Sequence, residues 1–131
     1  MEYIKSLAKK DIIPLWSNAP FLIPGFVAIY KGLWAYGALI IIAAMVSFYY
    51  HYTDETGLKR VDKTLAYTVI AVNLYILYLA KFKQPYFIIA LIFVALAFYF
   101  FRSGKDHKYD VYHGMWHLCS VVITMMCVLA Y

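Results

Sequence analysis

The last apolar run of the chain opens with the stretch YDVYHGMWHLCS, residues 109–120, in which His113 and His117 stand four residues apart. On an α-helix, residues i and i+4 lie on one face about one turn apart, so both imidazoles can point at the same atom. This spacing predicts a helix that carries two ligands of a metal ion. Because two ligands are too few for a tight site, we expect the rest of the chain to supply a third.

The composition indicates an integral membrane protein. Of the 131 residues, 65% are hydrophobic and 20% are aromatic, and the mean hydropathy is +0.69. A soluble domain of this size could not bury so much apolar surface. The net charge of +5 comes from basic residues that punctuate the apolar runs, so we expect them to meet lipid headgroups and not nucleic acid. We expect no cleaved signal peptide, because the charged N-terminal segment leads into a proline-broken run without a small-residue cleavage motif.

Charged residues divide the chain into five apolar runs, at about residues 12–30, 33–52, 62–80, 85–101 and 109–131. A helix needs about 20 such residues to cross a bilayer. Short connections make sequential helices antiparallel. The sequence therefore predicts a single all-α domain over residues 1–131, an integral membrane protein built as a compact up-and-down bundle of about five transmembrane helices.

The first run is the least regular of the five. It contains Pro14, Pro20, Pro24 and the polar pair Ser17–Asn18. Proline interrupts a helix because it lacks a backbone N–H and its ring clashes with the preceding turn. We therefore expect a short segment at the membrane interface, followed by a kinked helix.

The distribution of basic residues predicts the orientation of the bundle. The N-terminal segment and the second and fourth loops hold nine of the twelve Lys and Arg residues. Loops rich in Lys and Arg stay on the cytoplasmic side of a membrane. We therefore expect a multi-pass protein with a cytoplasmic N-terminus.

Four ionisable side chains fall at one level of the predicted bundle. His51 lies near the end of the second run, Asp62 opens the third, and His113 and His117 begin the fifth. Antiparallel helices bring these ends to the same side of the membrane. Ser47 precedes His51 by four residues, so it shares the face of that histidine one turn deeper. Ionisable residues at membrane depth are costly and usually functional, which indicates a site formed by three helices.

The residue types at this level favour hydrolytic chemistry. Three neutral imidazoles suit Zn²⁺, which keeps a fourth position for water and lowers the pKa of that water toward about 7. We predict that His51, His113 and His117 bind the zinc. Asp62 is the candidate general base, and Ser47 could hydrogen-bond the water or the developing oxyanion. Such a site would hydrolyse an amide or an ester of a membrane lipid.

Three further ionisable residues lie near these histidines in the sequence, and the pattern indicates their roles less specifically. Asp54 lies three residues after His51, and Asp110 lies three residues before His113, so either carboxylate could hydrogen-bond a ligand. His107 lies in a charged loop and is expected to be an interfacial residue.

The full pattern, Ser47-x3-His51-x10-Asp62 with His113-x3-His117 on the final run, resembles the CREST superfamily of membrane hydrolases. This superfamily includes alkaline ceramidases, progestin and adipoQ receptors, and Per1-like lipid-remodelling proteins. The pattern is most similar to the alkaline ceramidases, which carry a serine and histidine on one span, an aspartate on the next and an HxxxH pair on the last. The resemblance implies a zinc-dependent amidase acting on a ceramide-like lipid, with the three histidines on zinc and Asp62 and Ser47 completing the catalytic set.

The start of the chain extends the resemblance, whereas its length departs from it. The segment Trp16-Ser17-Asn18 followed by Pro24 is similar to the start of the first span of the ceramidases. The family usually has seven spans, yet only the run 85–101 separates the aspartate span from the HxxxH span, where three are expected. Two missing spans would leave one side of the site open. We therefore expect a second copy of the chain, in a homo-oligomer, or lipid to cover that side.

Other functions fit the same residues. A receptor-like or structural membrane protein would use a closed zinc site to tie three helices together, whereas an open water position near Asp62 favours an enzyme. A phospholipase-like ester hydrolase would use the same catalytic set. A bis-histidine haem site is disfavoured, because His113 and His117 share one helix face.

Overall fold

The computed structural model describes residues 16–53, 55–104 and 109–131, with side chains in the last range described from residue 111 onward. These residues form helices and short turns, with no strand among them. A short 3-10 helix, Ala19–Phe21, precedes five α-helices, which are α1 Leu22–Tyr30, α2 Trp34–Thr53, α3 Thr56–Leu79, α4 Tyr86–Ser103 and α5 Tyr109–Ala130. The predicted all-helical fold with five helices is confirmed for the described residues.

Three of the five helices are long and apolar enough to cross a membrane, namely α2, α4 and the part of α5 over Val111–Ala130. The 3-10 helix and α1 together form a shorter apolar stretch, Ala19–Tyr30. Helix α3 has 24 residues, but four charged side chains lie between residues 59 and 63. Its uncharged remainder, residues 64–79, spans about 24 Å at a rise of about 1.5 Å per residue. That length is below the roughly 30 Å of a bilayer core, so three of the five described helices qualify as spans by length and composition.

Helix α3 begins earlier than the sequence analysis predicted. The third run was expected to open at Asp62, after a loop over residues 53–61, whereas the helix begins at Thr56. Hydropathy marks only the apolar part of a helix, and Leu58, Lys59 and Arg60 are good helix formers whether or not they are apolar. Asp62 therefore lies at the end of the second turn of α3 and not at its first residue.

A turn at Gly32 reverses the chain, so that α1 and α2 pack side by side. Gly32 has a positive φ of 86°, which glycine adopts without a steric penalty. The backbone N–H of Leu33 donates to the carbonyl of Ala28 at 2.8 Å, as in a Schellman helix end. The two helices then approach closely at Gly25 and Gly37, since a Cβ on Gly37 would lie 2.6 Å from the carbonyl oxygen of Gly25.

Helix α5 is the central element of the bundle. It packs against α1, α3 and α4, while α2 packs against α1 and α3. Helix α4 lies on the outside and directs large apolar side chains away from the bundle, such as Phe98, which is 71% exposed. Such an apolar outer surface is typical of a helix in contact with lipid.

The two ends of the bundle differ in polarity. One end holds the apolar core, formed by the first half of α2 and the last turns of α1, α3 and α5, with the buried members Ala28, Tyr36, Ile40, Ile76, Leu77, Cys127, Val128 and Ala130. A buried polar chain lies next to this core. The Tyr36 hydroxyl donates to Oδ1 of Asn73, and Nδ2 of Asn73 donates to Oγ1 of Thr124 at 3.1 Å. These bonds tie α2, α3 and α5 together and satisfy polar groups that would be costly to bury alone.

Candidate metal centre

Three imidazoles meet at the other, polar end of the bundle. The ring centroids of His113 and His117 are 4.5 Å apart, and the ring of His51 lies 5.1 Å from the first and 5.5 Å from the second. One ring nitrogen of each histidine lies within 4.8 Å of the others. His51 and His117 are buried, and His113 is half-buried. These three side chains are close enough to bind one metal ion.

The helical period explains how α2 and α5 deliver the histidines. The buried residues of α2 include positions 36, 40, 44, 47 and 51, whose spacing of three or four residues marks one helix face. Ser47 and His51 are the last members of that buried face. This buried face of α2 therefore contributes to the apolar core in the first half of the helix and carries polar side chains near the C-terminal end of the helix. On α5, the i, i+4 pair His113 and His117 approaches His51 from the opposite side.

Asp62 of α3 joins this group. Its carboxylate lies close enough to His51 for their charges to interact, and it lies within hydrogen-bonding reach of the Ser47 hydroxyl. Asp62 is half-buried and Ser47 is buried. Seven residues separate Asp62 from the buried Val69, so both lie on the inward face of α3. The structure thus brings together all five side chains that the sequence singled out, while their chemical roles stay predictions.

Ser17 belongs to the site although its sequence context did not indicate it. Its Oγ atom lies 2.8 Å from Nδ1 of His117, which is 100 residues away in sequence. The two side chains are only 8% and 5% exposed. The available signal was the polar pair Ser17–Asn18 within an apolar run, which we interpreted as interfacial. Both residues of this pair are buried, so the segment instead packs into the bundle beside the histidines.

Aromatic side chains flank the imidazoles. The ring of Trp116 lies 5.3 Å from His113 and 5.5 Å from His117. The ring of Phe101 of α4 lies 5.8 Å from the same indole. The ring of Tyr50 lies 5.1 Å from His51. An apolar shell of this kind limits the access of water to a metal site and lowers its effective dielectric constant.

The donor set fits a zinc ion. Neutral imidazoles are ligands that zinc favours, and three of them leave one position of a tetrahedral ion open. Nitrogens about 2.0–2.1 Å from a tetrahedral zinc lie about 3.4 Å from one another. Ring nitrogens already within 4.8 Å can reach that spacing by small side-chain rotations.

Two of the remaining candidates, Asp54 and His107, lie outside the described residues, as does the side chain of Asp110.

No family model, curated protein or solved structure matches this chain. The resemblance to the CREST superfamily therefore rests on the five spaced residues and on the segment near Trp16.

Proposed function

We propose that this chain is a zinc-dependent membrane hydrolase that cleaves the amide bond of a ceramide-like lipid. One observation carries the proposal, namely that three imidazoles converge beside a serine and a carboxylate at one end of an apolar helical bundle. Burying so many polar groups is costly. A bundle that needed only to pack could fill these positions with apolar side chains, so a chemical role is the better explanation.

The three histidines would hold the metal. His51, His113 and His117 would each bind through one ring nitrogen, and a zinc ion there would supply a Lewis acid and lower the pKa of a bound water. The aromatic shell around Trp116 would keep bulk water away from the reacting bond.

Asp62 would move the proton. Its carboxylate would take a proton from the attacking water, whose oxygen adds to the carbonyl carbon of the amide. The carbon–nitrogen bond then breaks, and Asp62 delivers the proton to the departing nitrogen. The products are a fatty acid and an amine. Since the Ser47 hydroxyl lies within reach of Asp62, its favoured role is to orient that carboxylate rather than to contact the oxyanion.

A lipid substrate agrees with the position of the site. The histidines lie at the ends of two helices that are apolar enough to cross a membrane. The amide of a ceramide-like lipid lies between headgroup and acyl chains, so its chains could lie along the apolar helices while the amide reaches the histidines. In this proposal α1 and α3 also enter the membrane and the N-terminus is cytoplasmic. A second copy of the chain, or lipid, covers the side that a longer bundle would cover.

A structural or receptor-like zinc site is the second candidate, and the helix packing favours it at one point. Helices α2 and α5 are not among the pairs that pack extensively in the described part of the chain, yet His51 of α2 meets His113 and His117 of α5. A metal there would join two helices that otherwise contact each other little. In this case removal of the metal would loosen the bundle, and no lipid would be hydrolysed.

Metal analysis combined with a lipid turnover assay tests the proposal. Purified protein in detergent should contain about one zinc per chain and should release fatty acid from ceramides. Chelation should abolish turnover, and added zinc should restore it. A panel that includes phospholipids separates amide from ester cleavage. The variant His51→Ala, purified in parallel, should lose both zinc and turnover, which controls for a contaminating hydrolase.

Two results would contradict the proposal. Protein that contains no zinc and acquires none would exclude the metal site. Protein that holds zinc, hydrolyses no lipid in the panel and unfolds on chelation would support the structural candidate.

A further inference from the structure

We infer that Ser17 is a positioning residue that holds His117 in the orientation and tautomer needed to bind a metal, an inference that rests on the metal site of the proposed function. The observation is the distance of 2.8 Å between Oγ of Ser17 and Nδ1 of His117. Both side chains are buried, so this contact lies inside the protein. The segment before α1 thereby becomes part of a site whose ligands all come from α2 and α5.

The chemistry of imidazole assigns a direction to this hydrogen bond. A neutral imidazole carries one proton, and the nitrogen that binds a metal must be the other one. With Nδ1–H of His117 donating to Oγ of Ser17, the lone pair of Nε2 is left for the ion. A partner of this kind fixes both the tautomer and the ring orientation of a histidine ligand.

The surrounding contacts hold Ser17 in place. The neighbouring Trp16 packs its ring edge-to-face against Phe48 of α2, with centroids 5.9 Å apart. The carbonyl of Asn18 accepts a bond from the N–H of Phe21 at 3.1 Å, which closes the turn into the 3-10 helix. That 3-10 helix contacts both α2 and α5. Ser17 is therefore anchored against the same two helices that carry the three histidines, so it can restrain His117 relative to His51.

The test measures zinc affinity of the full chain in detergent by competition with a chelator. Loss of a hydrogen-bond partner of a metal ligand lowers affinity about 10–100-fold, which is the change expected for Ser17→Ala. The variant Ser120→Ala is the matched control, because the Ser120 hydroxyl donates to the carbonyl of Trp116 on the same helix as His117 and should leave the affinity unchanged.

A second pair of variants separates the hydroxyl from packing. Threonine and valine have nearly the same shape and differ by one hydroxyl group, so Ser17→Thr should bind zinc at least about tenfold more tightly than Ser17→Val. Cobalt, which has visible absorption bands, provides a readout of ligand orientation. Its bands should match the wild type in Ser17→Thr and shift in Ser17→Val, while both metal-free variants keep the helix content of the wild type.

The outcomes distinguish the role of Ser17 from the proposed function. Equal zinc affinities for wild type and Ser17→Ala, or for the threonine and valine variants, would overturn the role of Ser17 and leave the proposed function standing. A wild-type chain that binds no zinc would overturn both. If the Ser17 variants bind zinc as expected but the wild-type protein hydrolyses no lipid, the role of Ser17 is supported and only the hydrolase function is overturned.

Discussion

Replacing Asp62 with asparagine separates proton transfer from metal binding. The substitution keeps the size of the side chain and removes the group that can accept a proton. Asp62 lies beside His51 and Ser47, but it is not one of the three residues whose ligand atoms converge. The asparagine Oδ1 can still accept a hydrogen bond from the Ser47 hydroxyl, so the packing of α3 against α2 is expected to persist.

The size of the effect follows from the role proposed for Asp62. General base catalysis contributes about 10²–10⁴-fold to a rate, which corresponds to roughly 2.7–5.4 kcal/mol of barrier at about 1.36 kcal/mol per tenfold change. We therefore expect Asp62→Asn to lower kcat by about two to four orders of magnitude. The zinc content should stay at the wild-type level.

The assay compares ceramide turnover with zinc content in the same preparations. Glu55→Gln is the matched control, since it makes the same change of charge at an exposed residue next to the start of α3. It should keep both turnover and zinc. The reasoning would be refuted by an Asp62→Asn variant that holds zinc and turns over within a fewfold of the wild type. Loss of zinc from this variant would instead make Asp62 a ligand or a structural residue.

Four further substitutions test the packing and the site. Ser47→Ala should lower turnover by about 10–100-fold with zinc retained, since a hydrogen bond to a charged group contributes about 1.5–3 kcal/mol; unchanged turnover would remove Ser47 from the mechanism. Gly37→Ala should lower the free energy of unfolding by about 1–3 kcal/mol, because its Cβ would meet the α1 backbone. Gly57→Ala, which meets open space, should stabilise α3 by up to about 1 kcal/mol; equal denaturation midpoints for these two variants would contradict the close crossing. Asn73→Leu should lower the free energy of unfolding by about 1–3 kcal/mol, because the buried hydroxyls of Tyr36 and Thr124 lose this hydrogen-bond partner. A variant as stable as the wild type in the same denaturation assay would show that these hydrogen bonds do not stabilise the fold.

Much of the candidate site was predictable because its spacing is local. His113 and His117 share a face of α5, and Ser47 and His51 share a face of α2, since the helical period relates residues four apart. The antiparallel order of the helices then brought Asp62 to the same end. These placements do not depend on which helices contact one another.

Other features were not predictable from hydropathy or period. The start of α3 was placed too late, because its first two turns are polar and helical at once. Of the five predicted spans, three have the length and hydropathy of a span among the described residues. Charged residues near Asp62 shorten the apolar part of α3. An apolar run marks the part of a helix that can contact lipid. The ends of a helix also depend on polar residues with a high helix propensity.

The sequence by itself determined an all-helical chain, its apolar runs and the two histidine-bearing faces, because backbone geometry repeats every few residues. Only the tertiary structure decided that α5 lies at the centre and that Ser17 reaches His117 across 100 residues. Contacts of this range depend on how every helix packs against its neighbours, and no local pattern encodes them. The pair of histidines on one face of α5 is thus a local property of the sequence, whereas the site around the pair depends on the whole bundle.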